Sequence, residues 1–315
     1  MMKWIQILLG SLLIAGSAQA DNPQYEVWEP YPVWEERSVP NPNPNQDRPN
    51  ILWITCEDIS PYLGCYGFEQ ALTPNLDKLA SQGVRYTRAY AATSACAIAR
   101  SSILTGMYSP VIGTHGMRTR TTLPPGIEAY PALFKKAGYY CTNNYKTDYN
   151  CHPYSGISNE IWDQCDGKRK PRDVAHWKNR PEGKPFFAVF NYGKTHESQM
   201  RVIDSRIEKG ELSPEPRIPL DEVQLPAYHP DLPEIRKDWA RFHELITLMD
   251  KEQGDIIQEV IDAGLWDDTI VVFYSDHGGM LSRSKRYIYN GGTQVPLIVR
   301  VPEKWKHLAP GKPGT

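Results

Sequence analysis

The 315-residue sequence lacks an apolar run long enough to cross a bilayer as a helix, which takes about 20 residues. The apolar run from Trp4 to Ala15 is shorter, follows Lys3, and precedes the small-residue pattern Ala18-Gln19-Ala20. That combination is typical of a secretory signal peptide cleaved after Ala20. No cysteine follows the run, which argues against a lipoprotein anchor. We therefore predict a periplasmic or secreted protein without a membrane anchor.

The sequence also lacks a strong charge of either sign. Its 35 Lys and Arg residues nearly balance 37 Asp and Glu residues, for a formal net charge of −2 at pH 7. This balance argues against nucleic acid or an anionic membrane as the main partner. The hydrophobic fraction of 40 % is that of an ordinary globular protein, with length for one large domain or two small ones.

Three segments are predicted along the chain: the signal peptide at 1–20, an extended lead segment at 21–48, and a catalytic domain at 49–315. The lead segment is rich in Pro, Asn, Glu and Trp and has no hydrophobic period. It is therefore expected to lie extended, with Trp28 and Trp34 packed on the domain.

The domain alternates buried strands with helices. Continuous apolar and β-branched runs predict strands at 51–55, 139–144, 185–191 and 269–275, and alternation predicts another at 84–90. Helical patterns lie at 73–83, from 96 onward, at 130–138 and at 234–263, the last with a break or bend near Gly254. We predict an α/β fold with a large, mostly parallel central sheet and helices on both faces.

The stretch from Thr93 to Gly106 places Cys96 at the start of a helix, four residues before Arg100. A helix N-terminus favours bound anions and activates a nucleophile, and the planar arginine fork suits a tetrahedral oxyanion. Taken alone, Cys96 is equally well interpreted as a small buried hydrophobe. The pattern by itself leaves both interpretations open.

A pair of possible metal ligands follows each of two predicted buried strands. Glu57 and Asp58 come after the strand at 51–55, and Asp276 and His277 come after the strand at 269–275. Open α/β sheets place their sites at the carboxyl ends of strands, and carboxylate oxygens suit a hard cation such as Ca²⁺. Solvated loops or capping pairs are the alternative interpretation.

Further basic side chains fall at corresponding places. Lys146 follows the strand at 139–144 and His196 follows the strand at 185–191, while His115 lies in a loop. Histidine suits proton transfer because its ordinary pKa is near neutrality. His115 is a candidate pocket residue, although ordinary surface is the alternative for each of these side chains.

The sequence around these candidates resembles the type I sulfatases of the alkaline-phosphatase-like superfamily. Their signature is Cys-x-Pro/Ala-x-Arg followed by a small-residue helix and Leu-Thr-Gly, matched here from Cys96, with Ile98 at the Pro/Ala position. Other matches occur in the family's order at Glu57-Asp58, Gly64-Cys65-Tyr66-Gly67, Thr73 to Ala80, Lys146, His196, Asp276-His277, Lys285 and Asn290 to Val299. Two further departures are Glu57 for Asp and Asp148 for the histidine of Lys-x-His.

The resemblance implies hydrolysis of a sulfate ester, with a sulfated carbohydrate as the expected substrate. It implies that Cys96 is oxidised during export to Cα-formylglycine, by a formylglycine-generating enzyme or a radical maturase. The implied ligands of one Ca²⁺ ion are Glu57, Asp58, Asp276 and His277. The implied sulfate-binding and catalytic residues are Arg100, Lys146 and Lys285, with His196 protonating the departing alcohol.

Sulfatases usually continue into a further helix and a small antiparallel sheet, so we expect that C-terminal subdomain to be missing and the domain to be truncated. Two other functions stay open. One is a metal-dependent phosphate-ester hydrolase of the same superfamily, which would use Ser or Thr and two transition metals. The other is a non-catalytic homologue that binds sulfated glycans.

The six cysteines of an exported chain would ordinarily pair as disulfides. If Cys96 is reserved for chemistry, an odd number is left and at least one more is free. Among the remaining cysteines, we predict a disulfide between Cys141 and Cys151.

Overall fold

The structure is a computed structural model that describes residues 31–155, 160–166 and 174–315. The predicted signal peptide, its cleavage point and Trp28 lie outside the described residues. Within them, every helix is too short or too polar to span a bilayer.

The strands are short except for those at the centre of the sheet. They are β1 Asn50–Cys56, β2 Val84–Arg85, β3 Ala89–Tyr90, β4 Thr121–Thr122, β5 Tyr140–Asn144, β6 Cys151–His152, β7 Gln164–Cys165, β8 Phe186–Tyr192, β9 Thr269–Ser275, β10 Gln294–Val295 and β11 Leu297–Arg300. The α-helices are α1 Pro74–Ser81, α2 Cys96–Thr105, α3 Tyr130–Lys136, α4 Ile203–Glu208, α5 Pro233–Asp262 and α6 Asn290–Thr293. Short 3₁₀ helices lie at Gly64–Tyr66, Trp177–Asn179, Glu197–Val202, Leu220–Glu222, Trp266–Asp268 and Glu303–Leu308.

In the described part of the chain, the main sheet has the strand order β2-β11-β9-β1-β8-β5-β7. β1 pairs in parallel with both β8 and β9, and β5 pairs in parallel with β8 and β7. β11 runs antiparallel to β9 and β2. The predicted mostly parallel sheet is confirmed, and the carboxyl ends of β1, β5, β8 and β9 meet at one edge.

Helices cover both faces of this sheet, as predicted. Successive side chains of a strand point to opposite faces, so β1 and β8 supply two separate cores. The core on the α1 and α5 side contains Leu52, Ile54, Phe186, Ala188, Phe190, Leu76, Leu79, Met249, Ile256 and Val260. The core on the α2 and α3 side is richer in aromatic rings and contains Ile51, Trp53, Phe187, Val189, Leu104, Tyr130, Phe134 and Trp162.

The predicted break near Gly254 is wrong, because α5 continues through this residue to Asp262. A Cβ atom at Gly254 would lie 2.4 Å from the side-chain amide of Asn75 on α1. The glycine therefore allows α1 and α5 to approach closely. The strand predicted at 84–90 is also divided, since β2 joins the main sheet and β3 pairs with β10.

The predicted Cys141–Cys151 disulfide is not formed, and all six cysteines are free thiols. Cys141 lies on β5 of the main sheet, whereas Cys151 lies on β6, which pairs with β4 in a separate sheet. The Cys141 Sγ faces the carbonyl oxygen of Pro131 at 3.7 Å. Cys141 and Cys151 are both buried in the core on the α2 and α3 side, where each thiol packs as a small apolar group.

The described end of the lead segment packs on the domain through Trp34. This side chain is buried, and its ring centroid lies 5.1 Å from that of Trp266. The Trp34 backbone N–H donates to Asn75 Oδ1 at 3.0 Å, and its indole N–H donates to the Asn75 carbonyl at 3.1 Å. These contacts tie the lead segment to the N-terminus of α1.

Candidate active site

The candidate site forms where β1 and β9 end beside the start of α2. Glu57 and Asp58 follow β1, Asp276 and His277 follow β9, and Cys96 is the first residue of α2. The two strands are parallel neighbours paired along their full length, so their following residues arrive side by side. As a result, Cys96 Sγ lies 3.2 Å from His277 Nε2, although 181 positions separate them in sequence.

His277 lies between the carboxylates and the thiol. Its Nδ1 donates to the Gly278 carbonyl at 2.9 Å, while Nε2 lies 3.1 Å from Asp58 Oδ1 and 3.8 Å from Asp276 Oδ1. Burial lowers the pKa of His277, but Asp276, Asp58 and Cys96 raise it well above its ordinary value. Burial raises the pKa of Asp58, but the nearby His277 and Lys285 more than offset this effect and hold the pKa well below the usual range. The pair is therefore charged when no ligand is bound.

Two lysines, of which Lys285 is buried and Lys146 half-buried, neutralise the carboxylates that follow β1. Lys285 Nζ lies 2.8 Å from Asp58 Oδ2, and Lys146 Nζ pairs with Glu57 Oε2. Burial lowers the pKa of Lys146, but the charge of Glu57 more than offsets it, so the pKa is raised. Both ammonium groups therefore stay charged beside the site, where they can donate to an anionic ligand.

Arg100 reaches the site from α2, and its predicted contact with an oxyanion stays a prediction. Its Nε donates to Asp276 Oδ2 at 3.0 Å and its Nη1 donates to Asn191 Oδ1 at 2.8 Å. The buried Nη2 has no hydrogen-bond partner within the described residues. Arg100 thus holds Asp276 in place through Nε, while Nη2 is left without a partner in the described part of the chain.

His196 approaches Cys96 from the segment after β8. Its Nδ1 accepts from the Ser198 backbone N–H at 3.1 Å, so the ring carries its hydrogen on Nε2. A hydrogen bond with Cys96 raises the pKa of His196. Burial raises the pKa of Cys96, but hydrogen bonds from His196 and His277 lower it below its ordinary value. Two histidines thus flank position 96.

His115 is the predicted site residue that the structure does not bring to this cluster. Its side chain is exposed in the loop after α2. None of the hydrogen bonds or ion pairs among the described residues links it to the thiol or to the lysines. Its part in substrate binding stays a prediction.

Asn191 and Glu197 are site residues that the sequence reasoning missed. Asn191 bridges Arg100 and β5, donating to Asn143 Oδ1 at 3.0 Å and to the Asn144 carbonyl at 2.8 Å. The Glu197 backbone N–H donates to Asp58 Oδ2 at 2.8 Å. An asparagine at the end of an otherwise apolar strand was the available signal for the first of them.

The cluster fits a bound cation on the evidence of its own atoms. Asp58 Oδ1 is buried and lies 3.1 Å from His277 Nε2, which in turn lies 3.8 Å from Asp276 Oδ1. Once His277 Nε2 is unprotonated, no donor among the described residues reaches Asp58 Oδ1, and a buried acceptor of this kind is costly unless a ligand satisfies it. Carboxylate oxygens are the donors that Ca²⁺ prefers. Glu57 is set apart from this group, because Lys146 holds it and its oxygen lies within 4.8 Å of Cys96 and His196 instead.

The chain is similar to known proteins in sequence. A family model described as Sulfatase matches residues 49–313. An ulvan-active sulfatase of Formosa agariphila is 37 % identical over 298 residues, covering 82 % of this chain and 48 % of that protein. The chain spans between 48 % and 65 % of the length of the first four curated relatives it matches.

Solved structures share the fold. A phosphonate monoester hydrolase of Agrobacterium radiobacter aligns with a TM-score of 0.60 at 20 % identity, covering 81 % of this chain and 68 % of that one. A protein solved in complex with its substrate D-glucosamine-2-N,6-O-disulfate aligns with a TM-score of 0.56 at 18 % identity, covering 85 % and 73 %. With the family model matched over nearly all of the described domain, the chain belongs to the sulfatase family.

Proposed function

We propose that this chain carries the catalytic site of an exported sulfatase that hydrolyses a sulfate ester on a sulfated glycan. The observation that carries the proposal is the position of Cys96. Cys96 is the first residue of α2. Its Sγ lies 3.2 Å from His277 Nε2 and faces a site lined by Lys146 and Lys285. A nucleophile at a helix N-terminus among cationic donors suits attack on a tetrahedral anionic group such as a sulfate ester.

Two groups would be added to the chain. Formylglycine at position 96, made from Cys96 by a maturase, would supply a hydrated aldehyde oxygen as the nucleophile. Ca²⁺ held by Asp58, Asp276 and His277, with Glu57 as the fourth expected ligand, would offset the charge on a sulfate oxygen. Because His277 Nε2 must be unprotonated to bind a cation, loading the site would release a proton.

The residues of the chain then have distinct tasks. Lys146 and Lys285 exchange part of their pairing with Glu57 and Asp58 for hydrogen bonds to the sulfate oxygens, preorganised for the charge that develops. Arg100 keeps Asp276 oriented through its Nε. In its protonated form, with Nδ1–H donated to Ser198 Oγ at 2.8 Å, His196 gives its Nε2 proton to the departing alcohol oxygen and is left as a neutral imidazole.

The substrate class is proposed from the relatives. One relative is named for activity on ulvan, and one structural neighbour was solved with a sulfated glucosamine as its substrate. A sulfated carbohydrate accounts for both, and the exposed rim of the site described below is suited to it. A phosphonate or phosphate ester is the alternative raised by the other structural neighbour.

The test is the mass of the peptide containing Cys96 after co-expression with a formylglycine-generating enzyme or radical maturase. We expect an aldehyde-bearing residue in place of the thiol, together with turnover of 4-nitrophenyl sulfate over 4-nitrophenyl phosphate. Ile98→Ala is the matched variant, because it restores the family residue at a position that is almost fully buried in α2. Unmodified Cys96 in both proteins, with no sulfate turnover, would contradict the proposal and favour a glycan-binding role.

A further inference from the structure

Two short chains of charge lead from the buried site to the surface. On one side, Lys146 Nζ lies 3.9 Å from Asp148 Oδ2, and Asp148 Oδ1 lies 3.5 Å from Arg118 Nε. On the other side, Lys285 Nζ lies 3.5 Å from Glu197 Oε1, which also pairs with Arg286. Each site lysine is thus linked through one carboxylate to one arginine at the rim.

The two rim arginines differ in how much of the guanidinium is already used. Arg286 is bidentate to Glu197, with its Nη1 at 2.9 Å and its Nη2 at 2.6 Å from the carboxylate oxygens. Arg118 Nε lies 3.5 Å from Asp148 Oδ1, and the Arg118 side chain is 67 % exposed. Within the described residues, no hydrogen bond engages Nη1 or Nη2 of Arg118. Its fork is therefore available to a ligand.

The loop that carries Arg118 is held from below. The buried Asn150 side chain donates to the Thr114 carbonyl at 2.8 Å and also to the Gly116 carbonyl. Thr121 closes the loop by donating to the Gly113 carbonyl at 2.9 Å. Arg118 itself has φ of 56°, a left-handed conformation that an arginine adopts only when its surroundings impose it. The scaffold thus places this side chain beside Asp148.

We propose that Arg118 is a specificity-determining residue that binds a second anionic group of the glycan, a carboxylate or a sulfate, on the Lys146 side of the site. A guanidinium whose Nη1 and Nη2 edge is open binds either oxyanion bidentately. Asp148 lies between Arg118 and Lys146 and contacts both side chains. An anion bound by Arg118 therefore lies next to the scissile sulfate, which Lys146 binds. The proposal rests on the proposed function and names the substrate as a polyanion.

The experiment compares Arg118→Gln with Arg120→Gln in the matured, full chain. Arg120 is the matched control, because it lies in the same loop with φ of 54° and makes no ion pair among the described residues. The probes are ulvan oligosaccharides, the same oligosaccharides after chemical reduction of their carboxyl groups, and 4-nitrophenyl sulfate, which has a single anionic group.

We expect Arg118→Gln to raise KM for the intact oligosaccharides about tenfold, the effect of one charged hydrogen-bonded pair, with a smaller change in kcat. Its selectivity for oligosaccharide over 4-nitrophenyl sulfate falls by the same factor, whereas Arg120→Gln keeps the wild-type selectivity. If carboxyl reduction removes the difference between wild type and Arg118→Gln, the second anion is a carboxylate. If the difference persists, the second anion is a sulfate.

An equal loss on all three probes, or unchanged oligosaccharide KM in Arg118→Gln, overturns the inference. Calorimetric binding of the intact oligosaccharides to Cys96→Ala and to Cys96→Ala/Arg118→Gln separates this failure from failure of the proposed function. Binding that weakens about tenfold in the double variant, without turnover by the wild type, supports Arg118 and overturns the sulfatase proposal. Turnover of 4-nitrophenyl sulfate without any effect of Arg118 on binding overturns only the inference.

Discussion

Two buried carboxylates in this protein are stabilised in opposite ways. Asp58, at the site, pairs with Lys285 through Oδ2 and with His277 through Oδ1. Asp250, on α5, accepts from the backbone N–H groups of Asn75 at 3.1 Å and Leu76 at 2.9 Å, and from the Tyr31 hydroxyl at 2.8 Å. The first has charged partners, and the second has neutral donors on both oxygens.

The difference shows in the direction of each pKa shift. Burial raises the pKa of Asp250 to about 7, although its donors lower it. Burial also raises the pKa of Asp58, but His277 and Lys285 reverse the shift. Neutral donors at the N-terminus of α1 join two helices and leave no room for a ligand. Cations that can exchange partners are what a site for an anionic substrate needs.

The largest expected effect is a loss of turnover that is not accompanied by a comparable loss of stability. Cys96→Ala removes the nucleophile, so turnover of 4-nitrophenyl sulfate by the matured protein should fall about 10⁴-fold or more, while the free energy of unfolding changes by about 1 kcal/mol. Cys141→Ala is the control, since it truncates another fully buried thiol far from position 96. Turnover that survives Cys96→Ala would contradict the assigned nucleophile.

The opposite behaviour is expected at the junction of α1 and α5. Asp250→Ala leaves the N–H groups of Asn75 and Leu76 and the Tyr31 hydroxyl without their acceptor, and should lower the free energy of unfolding by about 3 kcal/mol in a denaturant titration. Asp262→Ala, at the exposed end of the same helix, should change it by about 0.5 kcal/mol or less. Equal losses in the two variants would show that the Asp250 contacts do not stabilise the fold.

Cation binding sharpens the comparison at the site itself. Ca²⁺ at a hundredfold excess over its Kd should raise the free energy of unfolding by about 2.7 kcal/mol, because only the folded chain presents the ligands. Asp58→Asn removes a charged ligand and should abolish most of that increase. Asp250→Asn is the matched control and should retain it. A Ca²⁺-induced rise in Tm that is the same in all three proteins would place the cation elsewhere.

The smallest expected effect is a pH dependence at a third buried group. Burial lowers the pKa of His243 to about 3, and both ring nitrogens lack partners within the described residues. Below pH 6.5 the unfolded chain binds a proton that the folded chain rejects, so stability falls as pH falls. Between pH 6.5 and 5 this contribution amounts to about 2 kcal/mol.

The measurement for His243 is the difference in unfolding free energy between wild type and His243→Leu across that range, which cancels the opposing titration of Asp250. His307→Leu, which replaces an exposed histidine, is the control variant. A pH-independent difference for His243→Leu would mean that the folded protein accepts the proton.

Much of the site could be predicted because its residues follow recognisable buried strands. Glu57, Asp58, Asp276 and His277 were placed by the apolar runs before them, and parallel pairing brought the two pairs to one edge. The contacts of Arg100 with Asp276 and Asn191 could not be predicted. They depend on which neighbours lie closest in three dimensions, and sequence spacing does not specify that.

The sequence by itself determined the order of strands and helices, since apolar runs and caps are local, and it determined the family, since the motifs occur in one order along the chain. Only the tertiary structure decided the pairing of each charge. Gly254 is a close approach between helices rather than a break, Cys141 and Cys151 lie in different sheets, and Arg118 lies two contacts from the site lysine. The physical reason is that burial energies and ion pairs depend on distances between residues that are remote in sequence.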